Sequence, residues 1–421
     1  MTDQAPAGSV DVVAVQRRTV GVLSSVQVFS GIAIAGAIPA GALIAASIGG
    51  EQLAGLAQTA GVLGAALLAL PLARLALTRG RRSALSTGYG IALVGAVLVV
   101  FGGVWRNMPL VLIGCLLVGV ASASGYQSRY AAIDLAQPER RARQLSLVVW
   151  AGTIGAVLGP NLLNFSGNIA LSLGLPQLTG PYLLAAFMLL LGVVALMLFL
   201  RPDPYLLSRS MAADAQTTAP QQAKLSDGLW HLRTHLRAML GVASVSLGHV
   251  VMVMVMVMTP VHMAHVDVSL QVIGFVISVH VLGMYALSPV VGWLVDKVGR
   301  IQMMLVGSAV LLAACAVAGT AAPDATPQLT VGLFLLGLGW SCTLIAGSTL
   351  LTDDLSQADR PSVQGLSDLI MNLAAAVGGV IAGVIVAYAS YGALCAAAVI
   401  PVAALAIFAG YVLAKQRAAT S

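Results

Sequence analysis

The chain has 421 residues, 59% of them hydrophobic and only 9% charged, with a formal net charge of +6. Soluble domains carry about 25% charged residues, so this composition excludes a soluble core and requires a bilayer to cover the apolar surface. The basic excess does not mark a nucleic-acid-binding protein, because the charges punctuate apolar runs and form no basic domain.

A polar start (1–18) leads into apolar runs at 19–48, 52–77, 83–104, 108–134, 143–167 and 180–200. A second set follows at 238–264, 269–295, 301–322, 328–352, 363–389 and 391–413. A helix needs roughly 20 apolar residues to cross a bilayer, and lipid admits only structures whose backbone groups are satisfied internally. The expectation is an all-α membrane protein with twelve transmembrane helices, arranged as bundles over 19–200 and 237–414. The first apolar run is too long for a signal h-region, so no cleavable leader is expected. Between the bundles, 201–236 is rich in Pro, Gln, Ala and Thr, with Arg201, Arg209, Lys224 and Arg233. It reads as a cytoplasmic linker with a short surface helix near 225–236.

Basic residues set the expected orientation. The even-numbered connections hold Arg74, Arg79, Arg81, Arg82, Arg140, Arg141, Arg143, Lys297, Arg300 and Arg360, whereas the odd-numbered ones offer Arg106. The positive-inside rule places both termini (1–18 and 415–421) in the cytoplasm of a cell membrane. The four cysteines are scattered, with no Cys-x-x-Cys, which argues against a disulfide framework or a zinc site.

The halves repeat. Asp134-Leu135-Ala136-Gln137-Pro138-Glu139-Arg140 aligns with Asp354-Leu355-Ser356-Gln357-Ala358-Asp359-Arg360, and Gly80-Arg81 aligns with Gly299-Arg300 at nearly the same offset. Two six-helix repeats in parallel suit a transporter whose halves rock about a site between them. Gly292-Trp293-Leu294-Val295-Asp296-Lys297-Val298-Gly299-Arg300 matches the G-x-x-x-D-(R/K)-x-G-R loop motif, and in this the chain resembles the major facilitator superfamily over essentially its whole length. The first-half copy, Ala73 to Arg82, is degenerate, with Leu77 at the acidic position. Arg129 looks like that family's membrane arginine, and Gly155 to Pro160 partly matches its antiporter motif. The resemblance implies that Asp296, Lys297 and Arg300 latch the outward-facing state. A narrower resemblance, to the CcoA-like copper importers, rests on Met252-x-x-x-Met256 followed by His280-x-x-x-Met284. That branch uses such residues to bind metal.

On one helix Met252 and Met256 share a face with His249, while Met254, Met258 and His262 share another. Thioethers and imidazoles favour Cu(I), but methionines equally serve as adaptable packing or as a greasy lining for an organic ligand. Substrate-binding candidates are therefore Met252, Met256, His280, Met284 and His249, the first four also as metal ligands. Ionisable groups inside spans are functional candidates by default. Arg129 and Asp368 are such groups, with Asp134 near the end of the fourth span. Asp368 is expected to supply the charge that Leu77 withholds from Arg74, Arg79 or Arg81. Asp296 is positioned to cap a neighbouring helix N-terminus. Gln58, Gln127 and Asn372 are in-span polar groups that suit either a ligand or cross-helix bonding.

No G-x-x-x-x-G-K-(S/T) loop occurs, which disfavours an ATP-driven pump. A membrane enzyme would want a histidine and carboxylate cluster at an interface, and a receptor would bind without flux. The expected function is secondary transport by alternating access, with no resident cofactor and a monomer in the bilayer. Copper uptake competes with proton-coupled efflux, or uptake of a small organic molecule such as riboflavin.

Overall fold

The computed structural model describes residues 11–49, 54–214, 232, 234–264, 270–353, 355 and 360–420. Most of the expected linker (215–231 and 233), nearly all of the second copy of the repeated loop (354 and 356–359), and His265 lie outside the described residues.

Among the described residues there is no strand, and eleven helices are long and apolar enough to cross a bilayer. One of them, Ala54–Val104, has 51 residues, about 77 Å of helix at 1.5 Å per residue. That exceeds twice the roughly 30 Å of bilayer hydrocarbon. Gly80, at φ 84°, divides it into two crossings, which brings eleven to twelve. The first span is Val12–Gly49, and the second and third are the two parts of Ala54–Val104. The fourth is Met108–Ala131, the fifth Arg141–Asn161 continued by Leu163–Ser172, and the sixth Gly180–Phe199. The helix Pro204–Asp214 follows the sixth. The seventh span is Leu236–Ala264, the eighth Leu270–Tyr285 continued by Ser288–Val298, and the ninth Arg300–Gly319. The tenth is Thr326–Asp353, the eleventh Arg360–Tyr388 and the twelfth Tyr391–Thr420.

The Val/Met alternation of 250–258 is helical, although its period of two suits a strand. Within lipid a helix satisfies its own backbone groups, and an isolated strand cannot. The fifth and eighth spans are each interrupted, at Leu162 and Leu287 (both φ −90°, ψ 1°). Pro160 and Pro289 flank the two breaks, and proline removes a helical N–H while crowding the preceding turn.

Each half has its own core. Leu23, Val26, Tyr89, Tyr182 and Leu189 centre the first. Val251, Met252, Val255, Trp340, Met371 and Leu394 centre the second. A third cluster spans the halves, joining Ile133, Ala142 and Leu145 to Val291, Val295, Ile345 and Leu350. Small residues let backbones touch inside each half. A Cβ on Gly119 would stand 1.9 Å from the Gly61 carbonyl oxygen, and one on Gly283 would stand 2.4 Å from that of Phe334. Such contacts drive helix association where no hydrophobic effect operates. Gly119→Val should therefore destabilise the first bundle by about 1–3 kcal/mol, read as a lower melting temperature in detergent. An unchanged melting temperature would contradict this packing.

Candidate functional site

The halves meet through charged residues at the end of the bundle that carries the basic loops, here called the basic face. Arg81 is fully buried. Its Nε donates to Asp134 Oδ2 at 2.8 Å, and its Nη2 to Asp134 Oδ1 at 3.3 Å and to Gln364 Oε1 of the other half at 2.6 Å. Burial pushes the carboxyl of Asp134, just past the fourth span, up from the ordinary carboxylate range, against the opposing pull of the Arg81 guanidinium. Arg300 is the second-half counterpart. Its Nε donates to Asp353 Oδ2 at 3.1 Å, and its Nη2 to the Pro138 carbonyl at 2.8 Å and lies 3.7 Å from Asp296. Arg141 crosses from the first half to Asp353 at 3.1 Å.

Asp296 accepts the N–H groups of Ala142 and Arg143 at 3.1 and 2.9 Å. These are orphan donors in the first turn of the fifth span, and a carboxylate there also meets the positive end of the helix dipole. The approach is close because Gly292, one turn earlier, faces Ala142 and Ser146 with no side chain between.

Asp368 does not pair with Arg74, Arg79 or Arg81, contrary to the expectation. Its Oδ1 accepts from Arg129 Nη2 at 2.6 Å, across the halves, with both side chains at most 2% exposed. Arg129 also donates to the Tyr130 hydroxyl at 3.1 Å and lies 5.3 and 4.8 Å from the ring centres of Tyr126 and Tyr130. Nor does Arg129 pair with Asp134. Asp134 follows the end of the fourth span and turns to Arg81, leaving the more deeply placed Arg129 to the eleventh span. Arg129 Nε and Nη1, and Asp368 Oδ2, are buried without a hydrogen-bond partner among the described residues.

A small cavity lies against this pair, lined by Gln27, Tyr126, Arg129, Val148, Val149, Tyr285, Trp340 and Leu344 from both halves. Tyr285 and Trp340 meet edge to face at 5.7 Å. Trp340 Nε1 donates to His249 Nδ1 at 2.9 Å. Because indole N–H is only a donor, His249 Nδ1 carries the lone pair and its ring proton sits on Nε2. The cavity has a volume of about 40 Å³, room for about one water molecule; what it does is gather aromatic side chains and the Arg129 guanidinium from both halves at one point.

The methionine and histidine candidates do not all face this cavity. Met252 and Met284 are buried in the second-half core, and Met256 packs against it. Met254 lies in a wholly apolar groove between the seventh, eleventh and twelfth spans. His280 is fully buried, and its Nδ1 is 2.8 Å from the Leu333 carbonyl. Nδ1 must carry the proton there, so Nε2 presents a lone pair, and it has no partner among the described residues. His262 stacks on Tyr391 at 4.3 Å. Gln127 donates to the Ala69 carbonyl and Asn372 to that of Asp368, and Gln58 is exposed.

The sequence reading missed Tyr126, Tyr285, Trp340 and Gln27. A signal was present: tryptophan in membrane proteins favours the interfaces, and Trp340 sits in the middle of the tenth span.

A family model described as Major Facilitator Superfamily matches residues 23–267 and 238–421. The chain is 38% identical over 379 residues to the "Uncharacterized MFS-type transporter YdeG" of Bacillus subtilis strain 168, covering 90% of this chain and 88% of that one. It is 27% identical over 309 residues to the "Riboflavin transporter RfnT" of Brucella anthropi, covering 73% and 74%. Among solved structures, the human organic anion transporter MFSD10 superposes with a TM-score of 0.74 at 17% identity, covering 96% of this chain and 100% of that one. The fucose transporter FucP in its outward conformation gives 0.72 at 16% identity, covering 93% and 98%.

Proposed function

This chain belongs to the major facilitator superfamily, and from that premise we propose that it carries a small organic molecule with a flat, acceptor-bearing part. Proton movement is coupled to that transport through Asp368 and Arg129. The basic face is the cytoplasmic side, by the positive-inside rule. The halves are latched there, so the cargo enters from the opposite side and leaves when the latch opens.

One observation carries the choice of cargo. Arg129 holds two buried nitrogens, Nε and Nη1, without a hydrogen-bond partner among the described residues, beside a cavity walled by Tyr126, Tyr285 and Trp340. A buried donor without a partner is costly, and an acceptor on the cargo would satisfy it. The cavity of about 40 Å³ widens to admit cargo when the halves part on the opposite side, and a flat ring stacked on one of its aromatic walls then gains roughly 0.5–1.5 kcal/mol per aromatic pair beyond its burial. The relative named as a riboflavin transporter makes riboflavin the first compound to test.

Melting of the purified protein should rise in riboflavin or another compound of a flat-ring panel, because a ligand that binds only the folded state stabilises it. Trp340→Ala should weaken that binding by about fivefold to a hundredfold, since stacking on one aromatic side chain is worth roughly 1–3 kcal/mol and each 1.4 kcal/mol is tenfold. A shift of the same size and concentration dependence in Trp340→Ala would exclude this cavity as the site.

A second reading has its own observation. His280 Nε2 presents a buried lone pair while Nδ1 holds a backbone carbonyl, the outer hydrogen bond that metal-ligating histidines usually make. With Met252, Met256 and Met284 it would take Cu(I) as cargo. His249 is a poor further ligand here, since its Nδ1 lone pair is used by Trp340. If copper is carried, Met252→Ala with His280→Ala abolishes accumulation of isotopic copper while the protein still reaches the membrane. Unchanged copper uptake in that double variant removes the reading.

A further inference from the structure

The two basic-face loops differ at one residue with structural consequences. In the second half, Gly292 packs against Ala142 and Ser146, and Asp296, four residues on, caps the first turn of the fifth span. In the first half, Ala73 packs against Gly365 of the eleventh span, and Leu77, four residues on, takes the place of the acid. Residues four apart stack on one helix face, so Leu77 falls level with the first turn of the eleventh span and offers its N–H groups no acceptor.

A carboxylate reaches this loop from elsewhere in the chain. Asp203 precedes the helix Pro204–Asp214, at the start of the linker between the bundles. Its Oδ2 accepts the Arg82 N–H at 2.7 Å, and its Oδ1 the N–H groups of Tyr205 and Leu206 at 3.0 and 3.2 Å. It therefore serves two helix starts at once, that of the third span and its own. The carboxylate sits on Gly80, where φ is 84° and a Cβ would stand 2.5 Å from it. Both the backbone angle and the space call for glycine. The next residues reach the gate pair itself. Tyr205 is fully buried, its ring centre 5.8 Å from the Arg81 guanidinium carbon. Ser208 Oγ donates to the Asp134 carbonyl at 2.7 Å.

We propose that Asp203 is the positioning residue of the first-half gate. Through Arg82, Tyr205 and Ser208 the linker helix holds Arg81 on Asp134 and Gln364 while the basic face is closed, in place of the acid missing at Leu77. The gate opens only when this clamp loosens, so the linker is a working part of the gate. The inference rests on alternating access alone. It needs neither the flat-ring cargo nor proton coupling, and its test uses no cargo, so it stands or falls separately from them.

The reporter is Ser367→Cys, on the eleventh span between Gln364 and Asp368, where the side chain is fully buried. The four native cysteines are also buried, which keeps their background labelling low. In purified full-length protein carrying the reporter, Asp203→Asn should raise the maleimide labelling rate about tenfold, the scale of losing one hydrogen bond to a charged group. Ser208→Ala should raise it by a smaller factor. Adding Leu77→Asp to either variant should return labelling to near the reporter's own rate, by restoring the loop's acid. A linker helix that merely packs would lower the melting temperature without this rescue. Parent-level labelling in both variants overturns the proposal, and so does raised labelling that Leu77→Asp leaves unchanged. If Asp203→Asn does not fold, Ser208→Ala with and without Leu77→Asp decides by the same comparison.

Discussion

Asp368→Asn should abolish gradient-driven accumulation of the cargo, by at least about a hundredfold, while leaving exchange of cargo across the membrane largely intact. The pair it breaks is buried at both ends, with Oδ1 2.6 Å from Arg129 Nη2. Removing one member of such a pair strands the other charge, which costs about 3–5 kcal/mol, and each 1.4 kcal/mol is tenfold in an equilibrium. The ionised pair joins the fourth span to the eleventh and holds the halves together. A proton on Asp368 Oδ2, which has no partner among the described residues, would remove the attraction and leave Arg129 to seek water or cargo. Asparagine copies that protonated state permanently. The protein then visits both orientations without a proton step to bias them, so exchange continues and uphill transport stops. Flux in proteoliposomes, with and without a pH gradient, measures this for whichever compound raises the melting temperature. Gradient-driven accumulation at the parent rate in Asp368→Asn would disprove the coupling role, and Asp368→Glu should retain part of it.

Arg81→Ala should be the most destabilising single change at the basic face. It strips Asp134, 3% exposed, of both charge-assisted bonds and removes the tie to Gln364. The loss expected for a stranded buried charge is again about 3–5 kcal/mol, large beside the roughly 5–15 kcal/mol that holds a folded protein. Arg81→Lys should recover only part, because an ammonium lacks the planar fork that spans both carboxylate oxygens. The double variant Arg81→Leu with Asp134→Leu should melt well above Arg81→Ala, since an apolar pair of similar volume removes the unpaired charge. If the double variant is no more stable than the single one, the stranded carboxylate is not the cause.

Some of the charged residues that join the halves were legible in the sequence. Asp296 stood out through its place in the loop motif, and Arg129 and Asp368 because charge inside a span is rare. Their partners were not legible. Arg129 and Asp368 are 239 positions apart, and whether an arginine of the fourth span meets the eleventh span or its own loop depends on how the helices cross. Asp203 was hidden for another reason: it lies outside the motif whose missing acid it replaces. The histidines divide the same way. That His249 and His280 lie deep in their spans follows from residue counting, but both turn to the tenth span, to Trp340 and to the Leu333 carbonyl respectively.

The amino-acid sequence alone determined that the chain crosses a bilayer as helices, about where each crossing lies, and that the two halves are repeats. Those properties depend on apolar run length and on the need of every backbone group in lipid for a local partner, and both are written along the chain. Only the tertiary structure decided which charge neutralises which, where the aromatic cavity sits, and that Asp203 at the start of the linker meets Gly80 and Arg82. Those depend on side chains far apart in sequence meeting at particular helix crossings, and a period or a motif does not encode which faces those crossings bring together.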